Sequence, residues 1–284
     1  MHTVLELLQL TTGYFEKKQI ESPRLNAELL LSHTLLCRRL DLYLMFDKPV
    51  KETELTAYRE FVKQRGERVP LQYLVGDVEF YGLKFKTAKG ALIPRPETEL
   101  LVEKCLEAAV SFPDARILDI GCGSGNIVIS LCANLENSSI TAIDISEDAL
   151  SLAVENAKAH ILSERISFKK KDVLNEDCAD LGQFDIIVSN PPYVKQADYA
   201  ALQEEIVKYE PSIAVTDYAD GFTFYRRIIT LAEKLLNPRG ILFFEMARDQ
   251  TETIMELMRE NNFTDIAVYK DLQSIERVIR GVKQ

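Results

Sequence analysis

Four consecutive residues, Asn190-Pro191-Pro192-Tyr193, have the side-chain types needed to hold a planar NH2 group. The prolines fix their own φ and push the residue before each toward extended geometry, so the Asn190 side chain has a defined direction. Its amide oxygen and the Pro191 carbonyl are two acceptors that can converge on one NH2 group, and Tyr193 adds an aromatic face. The run predicts a receptor for a primary amide or an exocyclic amine, although a proline-rich turn that closes a strand would have the same composition.

The residues before this run are typical of a buried parallel strand. Residues 184–189 are Phe-Asp-Ile-Ile-Val-Ser, a short and largely apolar segment rich in β-branched side chains. In open α/β sheets, ligands bind in the crevice beyond the carboxyl ends of the strands. The predicted receptor therefore follows a strand at the edge of the sheet where a ligand is expected.

A second candidate site follows another predicted strand, residues 117–120, which contains Asp119. The loop Gly121-Cys122-Gly123-Ser124-Gly125 comes directly after it and precedes a helical pattern. Glycines let a ligand approach the backbone closely and expose amides at the start of the helix. The next predicted strand, residues 140–143, ends at Asp144, whose carboxylate can accept both hydroxyls of a ribose.

The glycine loop favours S-adenosylmethionine over a dinucleotide. The dinucleotide fingerprint requires glycine at position 126, where this chain has Asn126. Asp119 would lie poorly beside a pyrophosphate but suits the ammonium of a methionine moiety, since the charges are opposite. After the third predicted strand, Asp172 and Val173 offer an acceptor and an apolar wall for adenine. We therefore predict an S-adenosylmethionine site formed by these residues, the loop 121–125 and Asn190.

Leu92-Ile93-Pro94-Arg95-Pro96-Glu97-Thr98-Glu99 is a further unusual segment. Capping of the helix that follows would explain its acidic residues. It would not explain the rigid Pro-Arg-Pro sequence, which suits a lid over a ligand. Arg95 and Glu97 are therefore candidate substrate-binding residues.

Strand and helix patterns alternate from residue 91 to residue 284 and predict an α/β fold. Seven strands favour the Rossmann-like sheet of the class I S-adenosylmethionine-dependent methyltransferases. Residues 1–74 instead predict an N-terminal bundle of short helices, and residues 75–90 predict a β-hairpin linker. We interpret the bundle as a docking domain for a macromolecular substrate, although a domain that only adds stability would show the same pattern.

Composition argues against several kinds of protein. The net charge is −10, whereas nucleic-acid enzymes more usually carry a basic surface, so we expect no direct nucleic-acid binding. The 5 cysteines and 3 histidines are scattered, so we predict reduced thiols and no metal site. The chain has no long apolar run and does not begin with a secretory signal. We expect a cytoplasmic monomer that does not associate with a membrane.

The chain resembles, over nearly its whole length, the glutamine methyltransferases that modify peptide-chain release factors. The matching motifs are Arg68-x-Pro70-x-Gln72-Tyr73-x-x-Gly76, Phe80-Tyr81-Gly82, the run from Leu92 to Leu100, Asp119-x-Gly121-x-Gly123-x-Gly125, Asn190-Pro191-Pro192-Tyr193, Asp220-Gly221, Glu245, Gln250, Asp271-Leu272 and Arg277. Two segments differ. Ser212-Ile213-Ala214-Val215 replaces an Ala-Leu pair and a glycine turn, and Gln273-Ser274 stands where the family usually has glycine.

The resemblance implies methylation of the side-chain amide nitrogen, N5, of a glutamine in the Gly-Gly-Gln motif of a class I release factor. It implies that residues 190–193 perform catalysis and that the N-terminal helices hold another part of the release factor. Two alternatives stay open: a ribosomal-protein glutamine methyltransferase and, less favoured, a methyltransferase of the adenine amine in DNA or RNA. An intact run at residues 190–193 argues against a cofactor-binding scaffold without activity.

Overall fold

A computed structural model describes residues 2–284, which form two compact units. The helical unit consists of the chain through Asp77 together with Gln203–Tyr209. The sheet unit consists of Val78–Leu202 together with Glu210–Gln284. In the described residues, no helix combines the length and the apolar character needed to cross a bilayer.

The regular elements follow in chain order. The helices are α1 (Val4–Lys17), α2 (Pro23–Thr34), α3 (Glu52–Gly66), α4 (Leu71–Val75), α5 (Glu99–Ala109), α6 (Asn126–Asn134), α7 (Glu147–Ala159), α8 (Gln196–Tyr199), α9 (Glu204–Tyr209), α10 (Thr223–Leu235) and α11 (Thr251–Glu260). The strands are β1 (Asp77–Phe80), β2 (Leu83–Lys86), β3 (Arg116–Ile120), β4 (Ser139–Asp144), β5 (Ile166–Lys170), β6 (Phe184–Ser189), β7 (Leu236–Glu245), β8 (Phe263–Lys270) and β9 (Glu276–Lys283).

The predicted helical bundle is present at the N-terminus. Helices α1 to α4 and a 3-10 turn at Arg39–Leu44 enclose an apolar core that includes Leu8, Phe15 and Tyr58. Helix α1 begins with a capping box, because the Thr3 hydroxyl accepts from the Glu6 amide at 3.3 Å and the Glu6 carboxylate accepts from the Thr3 amide at 3.0 Å. The core explains why the apolar residues recur at helical spacing in this part of the sequence.

Arg65 joins helix α9 to the N-terminal helices within the helical unit. Its side chain is 5% exposed, and it donates to Asn26 Oδ1 at 2.7 Å, to the Val69 carbonyl at 3.0 Å and to Glu205 Oε1 at 2.7 Å. The Tyr209 hydroxyl adds a bond to the Glu67 carbonyl at 2.9 Å. A segment far along the chain is therefore fastened to the N-terminal helices by a buried ion pair.

Replacing Arg65 with methionine should lower the free energy of unfolding by about 2–4 kcal/mol, because it leaves a partly buried Glu205 without its counterion. Urea denaturation would measure the change. Arg59→Met is the matched control on the exposed face of α3, where the change should stay within about 0.5 kcal/mol. Equal unfolding free energies for the two variants would show that the ion pair does not hold α9.

The predicted seven-stranded sheet is confirmed, with strand order β5-β4-β3-β6-β7-β9-β8. The first five strands in this order are parallel, and β9 runs antiparallel to both of its neighbours. The chain leaves β3 for β4 on one side, while β6 lies on the other side of β3. The carboxyl ends of β3 and β6 therefore flank the switch point at which doubly wound sheets bind ligands.

Both faces of the sheet are covered by helices. Ile186 and Val188 pack in one apolar cluster with residues of α5 and α6, whereas Ile187 packs in another with residues of α10 and α11. All three side chains are 0% exposed, which explains why β6 is apolar without alternation. The predicted hairpin is formed by β1 and β2, and its side chains Phe80 and Phe85 pack in the α5 and α6 cluster.

Candidate active site

A cavity of ≈ 280 Å³ lies in the sheet unit and is lined by residues that follow β3, β4, β5 and β6. Its wall contains residues 90–95 and Thr98, residues 120–124, residues 143–146, residues 171–174 and residues 189–192. The segment before α10 also contributes to the wall, through Ile213, Ala214, Thr216, Asp217 and Tyr218. The two sites predicted separately from the sequence therefore meet at one cavity.

The glycine loop after β3 requires glycine for conformational reasons. Gly121, Gly123 and Gly125 have φ of 76°, 54° and 80°, in the left-handed region that other residues rarely adopt. The intervening side chains of Cys122 and Ser124 are buried, at 2% and 1% exposed. These two predicted cofactor-binding residues line the cavity, and their burial means that they present mainly backbone to a ligand.

Asp144 lies at the end of β4 and lines the cavity. Its Oδ2 accepts from the Gly123 amide and its Oδ1 accepts from the Ser146 amide, each at 2.9 Å. Burial raises the pKa of this carboxyl, and the two amide bonds oppose the increase. The carboxylate is held firmly, and each oxygen retains a lone pair for a hydroxyl group.

Asp119 is buried without a partner. It is 0% exposed, and neither carboxylate oxygen makes a hydrogen bond to any part of the chain from residue 2 to residue 284. Burial, and then repulsion from Asp144, raises the pKa of Asp119 to about 8. Asp119 itself is not part of the cavity wall, although Ile120 and Gly121 next to it are. A buried carboxylate is costly unless a cation pairs with it, so this position suits the positive end of a ligand.

Asp172 and Val173 lie in the cavity wall just beyond β5. Asp172 Oδ1 accepts from the Leu174 amide at 3.0 Å, and Oδ2 accepts from Asn175 Nδ2 at 2.7 Å. Val173 is partly buried against the cluster formed with α10 and α11. This part of the wall offers an acidic acceptor next to an apolar surface.

Asn190 occupies the wall together with Pro191 and Pro192. Its Nδ2 donates to Thr98 Oγ1 at 3.3 Å. Because the nitrogen of this planar amide is bonded to Thr98, the oxygen Oδ1 diverges from that hydroxyl and is left as an acceptor. Thr98 is a site residue that the sequence analysis did not identify. Only its position in the Pro-Arg-Pro-Glu-Thr segment could have indicated that it contributes to the site.

Tyr193 is not part of the cavity wall. Its ring packs against the cluster formed with α10 and α11, and its hydroxyl donates to Glu245 Oε1 at 3.4 Å. Burial and the nearby Glu245 charge raise the pKa of Tyr193. That the ring receives a flat substrate group stays a prediction.

Arg95 lines the cavity, but its guanidinium is already paired. Nη2 donates to Glu210 Oε1 at 2.5 Å, and Glu210 Oε2 also accepts from the Ile93 amide at 3.1 Å. Glu210 therefore fastens the proline-rich segment. Glu97 does not line the cavity, so substrate binding by Arg95 and Glu97 stays a prediction.

The chain matches two family models. Residues 6–76 match the PrmC N-terminal domain, and residues 111–280 match a methyltransferase domain. The release factor glutamine methyltransferase of Chlorobaculum tepidum is 43% identical over 289 residues, covering 99% of this chain and 98% of that protein. The enzyme of the same name from Geobacter sulfurreducens is 40% identical, covering 98% of this chain and 96% of its own.

A solved structure supports the fold. The methyltransferase from Pyrococcus furiosus has a TM-score of 0.50 and 18% sequence identity, and the match covers 71% of this chain and 89% of that one. At this identity the likeness concerns architecture and not substrate.

Proposed function

Because this chain belongs to the release factor glutamine methyltransferase family, we propose that it methylates the side-chain amide nitrogen, N5, of a glutamine in the Gly-Gly-Gln motif of a class I peptide-chain release factor. The observation that carries the proposal is the orientation of Asn190. Its NH2 group faces Thr98, so its oxygen can meet the NH2 group of a substrate amide beside Pro191 in the cavity wall.

We propose S-adenosylmethionine as the cofactor, and the polar groups around the cavity support this choice. It supplies, when bound, an electrophilic methyl group on a sulfonium. Residues 121–124 of the glycine loop would lie against it, Asp144 would accept the ribose hydroxyls, and Asp172 and Val173 would contact adenine. The unpartnered Asp119 carboxylate would pair with the ammonium, which supports this assignment because such a group otherwise has no compensation.

An amide nitrogen is a poor nucleophile because its lone pair is delocalised into the carbonyl. Asn190 Oδ1 and the Pro191 carbonyl would accept its two N–H groups, and these bonds strengthen as positive charge grows on nitrogen. Tyr193 would align the amide plane, which is an orientation effect. No residue is assigned as a base, because the methylated amide cation is acidic enough to lose its proton afterward.

The helical unit has features of a docking surface for the protein substrate. Leu36 lies just after α2, and Leu40 and Leu44 lie in the 3-10 turn that follows; they are 91%, 66% and 86% exposed. Neighbouring exposed apolar side chains are typical of surfaces that bind proteins. They support the assignment of residues 1–74 to release-factor binding.

Cofactor binding should release a proton from Asp119 at about pH 6.5, where an α-amino group is still charged. The carboxyl is protonated there because its pKa is raised to about 8, and pairing with the ammonium favours the ionised form. Calorimetry in buffers of different ionisation enthalpy would count the protons. Asp119→Asn should release fewer protons and bind more weakly; wild-type protein that releases none would refute the ammonium assignment.

The substrate is tested with cofactor labelled at the methyl group. Purified release factor, the same factor with the Gly-Gly-Gln glutamine changed to alanine, a ribosomal protein and DNA would be offered separately. The proposal requires label on the unmodified release factor and loss of label in the alanine variant. Label on the ribosomal protein or the DNA, with none on the release factor, would establish one of the alternatives instead.

A further inference from the structure

Gln250 is a buried amide outside the cavity wall, and it has no part in the mechanism above. It lies directly before α11 and is 3% exposed. Its Nε2 donates to the carbonyls of Tyr193 and Gly221, each at 3.2 Å. Its Oε1 accepts from the Ala247 amide at 3.0 Å, and the Tyr225 hydroxyl lies 3.3 Å from the same oxygen. Because a carbonyl can only accept and a main-chain amide can only donate, the orientation of the Gln250 amide is fixed.

The two carbonyls that Gln250 binds belong to segments that lie side by side. The proposed receptor and the segment before α10 both contribute to the cavity wall. Main-chain hydrogen bonds of 3.0 Å run from the Val194 amide to the Val215 carbonyl and from the Gln196 amide to the Ala219 carbonyl. Gln250 is bonded to both segments and adds a side-chain link to these main-chain ones.

Gly221 allows the close approach on which this link depends. Its φ is 84°, and a Cβ added to it would lie 2.6 Å from the Tyr193 carbonyl oxygen and 3.1 Å from Gln250 Nε2. Any other residue at this position would therefore push against the hydrogen bond between Gln250 and Tyr193. The place of the Tyr193 carbonyl depends on a donor at position 250 and on glycine at position 221.

We propose that Gln250 is a positioning residue that fixes the main chain of Tyr193 and thereby the geometry of the receptor at residues 190–193. The proposal rests on the proposed function, because only a receptor for a substrate amide requires that geometry. The amide must meet two acceptors and the incoming methyl group at once, and a misplacement of about 1 Å can cost about a hundredfold in rate. Gln250 is outside the cavity wall, so it contributes to the rate of methyl transfer more than to affinity.

The oxygen of the Gln250 amide has a separate, local role. By accepting from the Ala247 amide, it holds the loop between β7 and α11. Loss of that bond should lower stability, whereas loss of the two donor bonds should release the main chain of Tyr193. Stability and rate are therefore to be measured on the same variants, with kcat determined under conditions in which each variant is folded.

The test is Gln250→Met, which keeps the length of the side chain and removes its hydrogen bonds. With purified release factor as substrate, kcat should fall about ten- to a hundredfold. KM for the release factor and the dissociation constant for S-adenosylmethionine should change much less. Asn237→Ala is the matched control, because Asn237 Nδ2 donates to Asp185 Oδ1 at 2.7 Å near the amino ends of β6 and β7, at the opposite edge of the sheet. Both variants should unfold at lower urea concentrations, but Asn237→Ala should keep wild-type kcat.

Gly221→Ala disturbs the same carbonyl by a different route and should also lower kcat. Its control is Gly82→Ala in the hairpin, where φ is 71° and an added Cβ would meet no heavy atom within 4 Å. The two substitutions impose similar backbone strain, so Gly82→Ala should keep wild-type kcat. Because Gln250→Met and Gly221→Ala act on one carbonyl, the double variant should be no slower than the slower single variant.

A Gln250→Met enzyme with wild-type kcat, or a double variant in which the two losses multiply, would overturn the proposal. If Gln250→Met does not fold, Gly221→Ala decides the matter, since wild-type kcat in that variant would also overturn it. None of these results would affect the proposed function, which fails only if wild-type protein leaves the release factor unmethylated.

Discussion

Replacement of Asn190 by alanine is expected to reduce methyl transfer to a release factor by about a hundred- to a thousandfold. The variant loses the side-chain acceptor that holds the substrate NH2 group as positive charge develops on nitrogen. Affinity for S-adenosylmethionine should fall much less than the rate, because the glycine loop and Asp144 supply most of the predicted cofactor contacts in the cavity wall. Single-turnover rates and calorimetry would measure the two quantities on the same preparation.

The matched control is Asn175→Ala. Asn175 donates to Asp172 Oδ2 at 2.7 Å and is not in the cavity wall, so its loss should leave the rate of methyl transfer at saturating cofactor nearly unchanged. Near-wild-type methylation by Asn190→Ala would contradict a receptor built on the Asn190 side chain.

Asp144→Ala is expected to weaken S-adenosylmethionine binding by about a hundredfold or more, since hydrogen bonds to a charged group contribute roughly 1.5–3 kcal/mol each. The variant would lose the predicted bonds to the ribose hydroxyls. It would also free the Gly123 and Ser146 amides, which Asp144 now holds at 2.9 Å. Asp144→Asn, which keeps one acceptor oxygen, should bind with intermediate affinity.

Glu147→Ala is the control for this series. Glu147 is an acid three positions later, and its side chain is 77% exposed and paired with Lys170 on the surface. Its replacement should leave the dissociation constant unchanged. An Asp144→Ala variant that binds as tightly as Glu147→Ala would remove Asp144 from the cofactor site.

The features predicted from the sequence are those that short segments determine. The strand at residues 184–189 was recognisable because both of its faces are buried, so Ile186, Ile187 and Val188 are consecutive apolar residues. The glycine loop was recognisable because three left-handed positions within five residues require glycine. The strand order of the sheet then places the ends of these two segments at the same edge.

The features that could not be predicted depend on pairs distant in sequence. Asn190 and Thr98 are 92 residues apart, and Arg95 and Glu210 are 115 apart. Arg65 pairs with Glu205, which is 140 residues later in the chain. Because this contact is so distant in sequence, the local pattern of residues 203–209 does not indicate that they belong to the helical unit. Arg95 was predicted from its own segment alone, and that segment does not reveal the carboxylate that pairs with it.

The central claim is that Asn190 Oδ1 and the Pro191 carbonyl together hold the glutamine NH2 group. A crystal structure with S-adenosylhomocysteine and a peptide containing Gly-Gly-Gln would test it most directly. We predict that the glutamine amide nitrogen lies about 3 Å from both oxygens, with the cofactor sulfur on the side from which the methyl group would arrive. A glutamine amide bound elsewhere in the cavity, or an Asn190 that presents its nitrogen to the peptide, would contradict it.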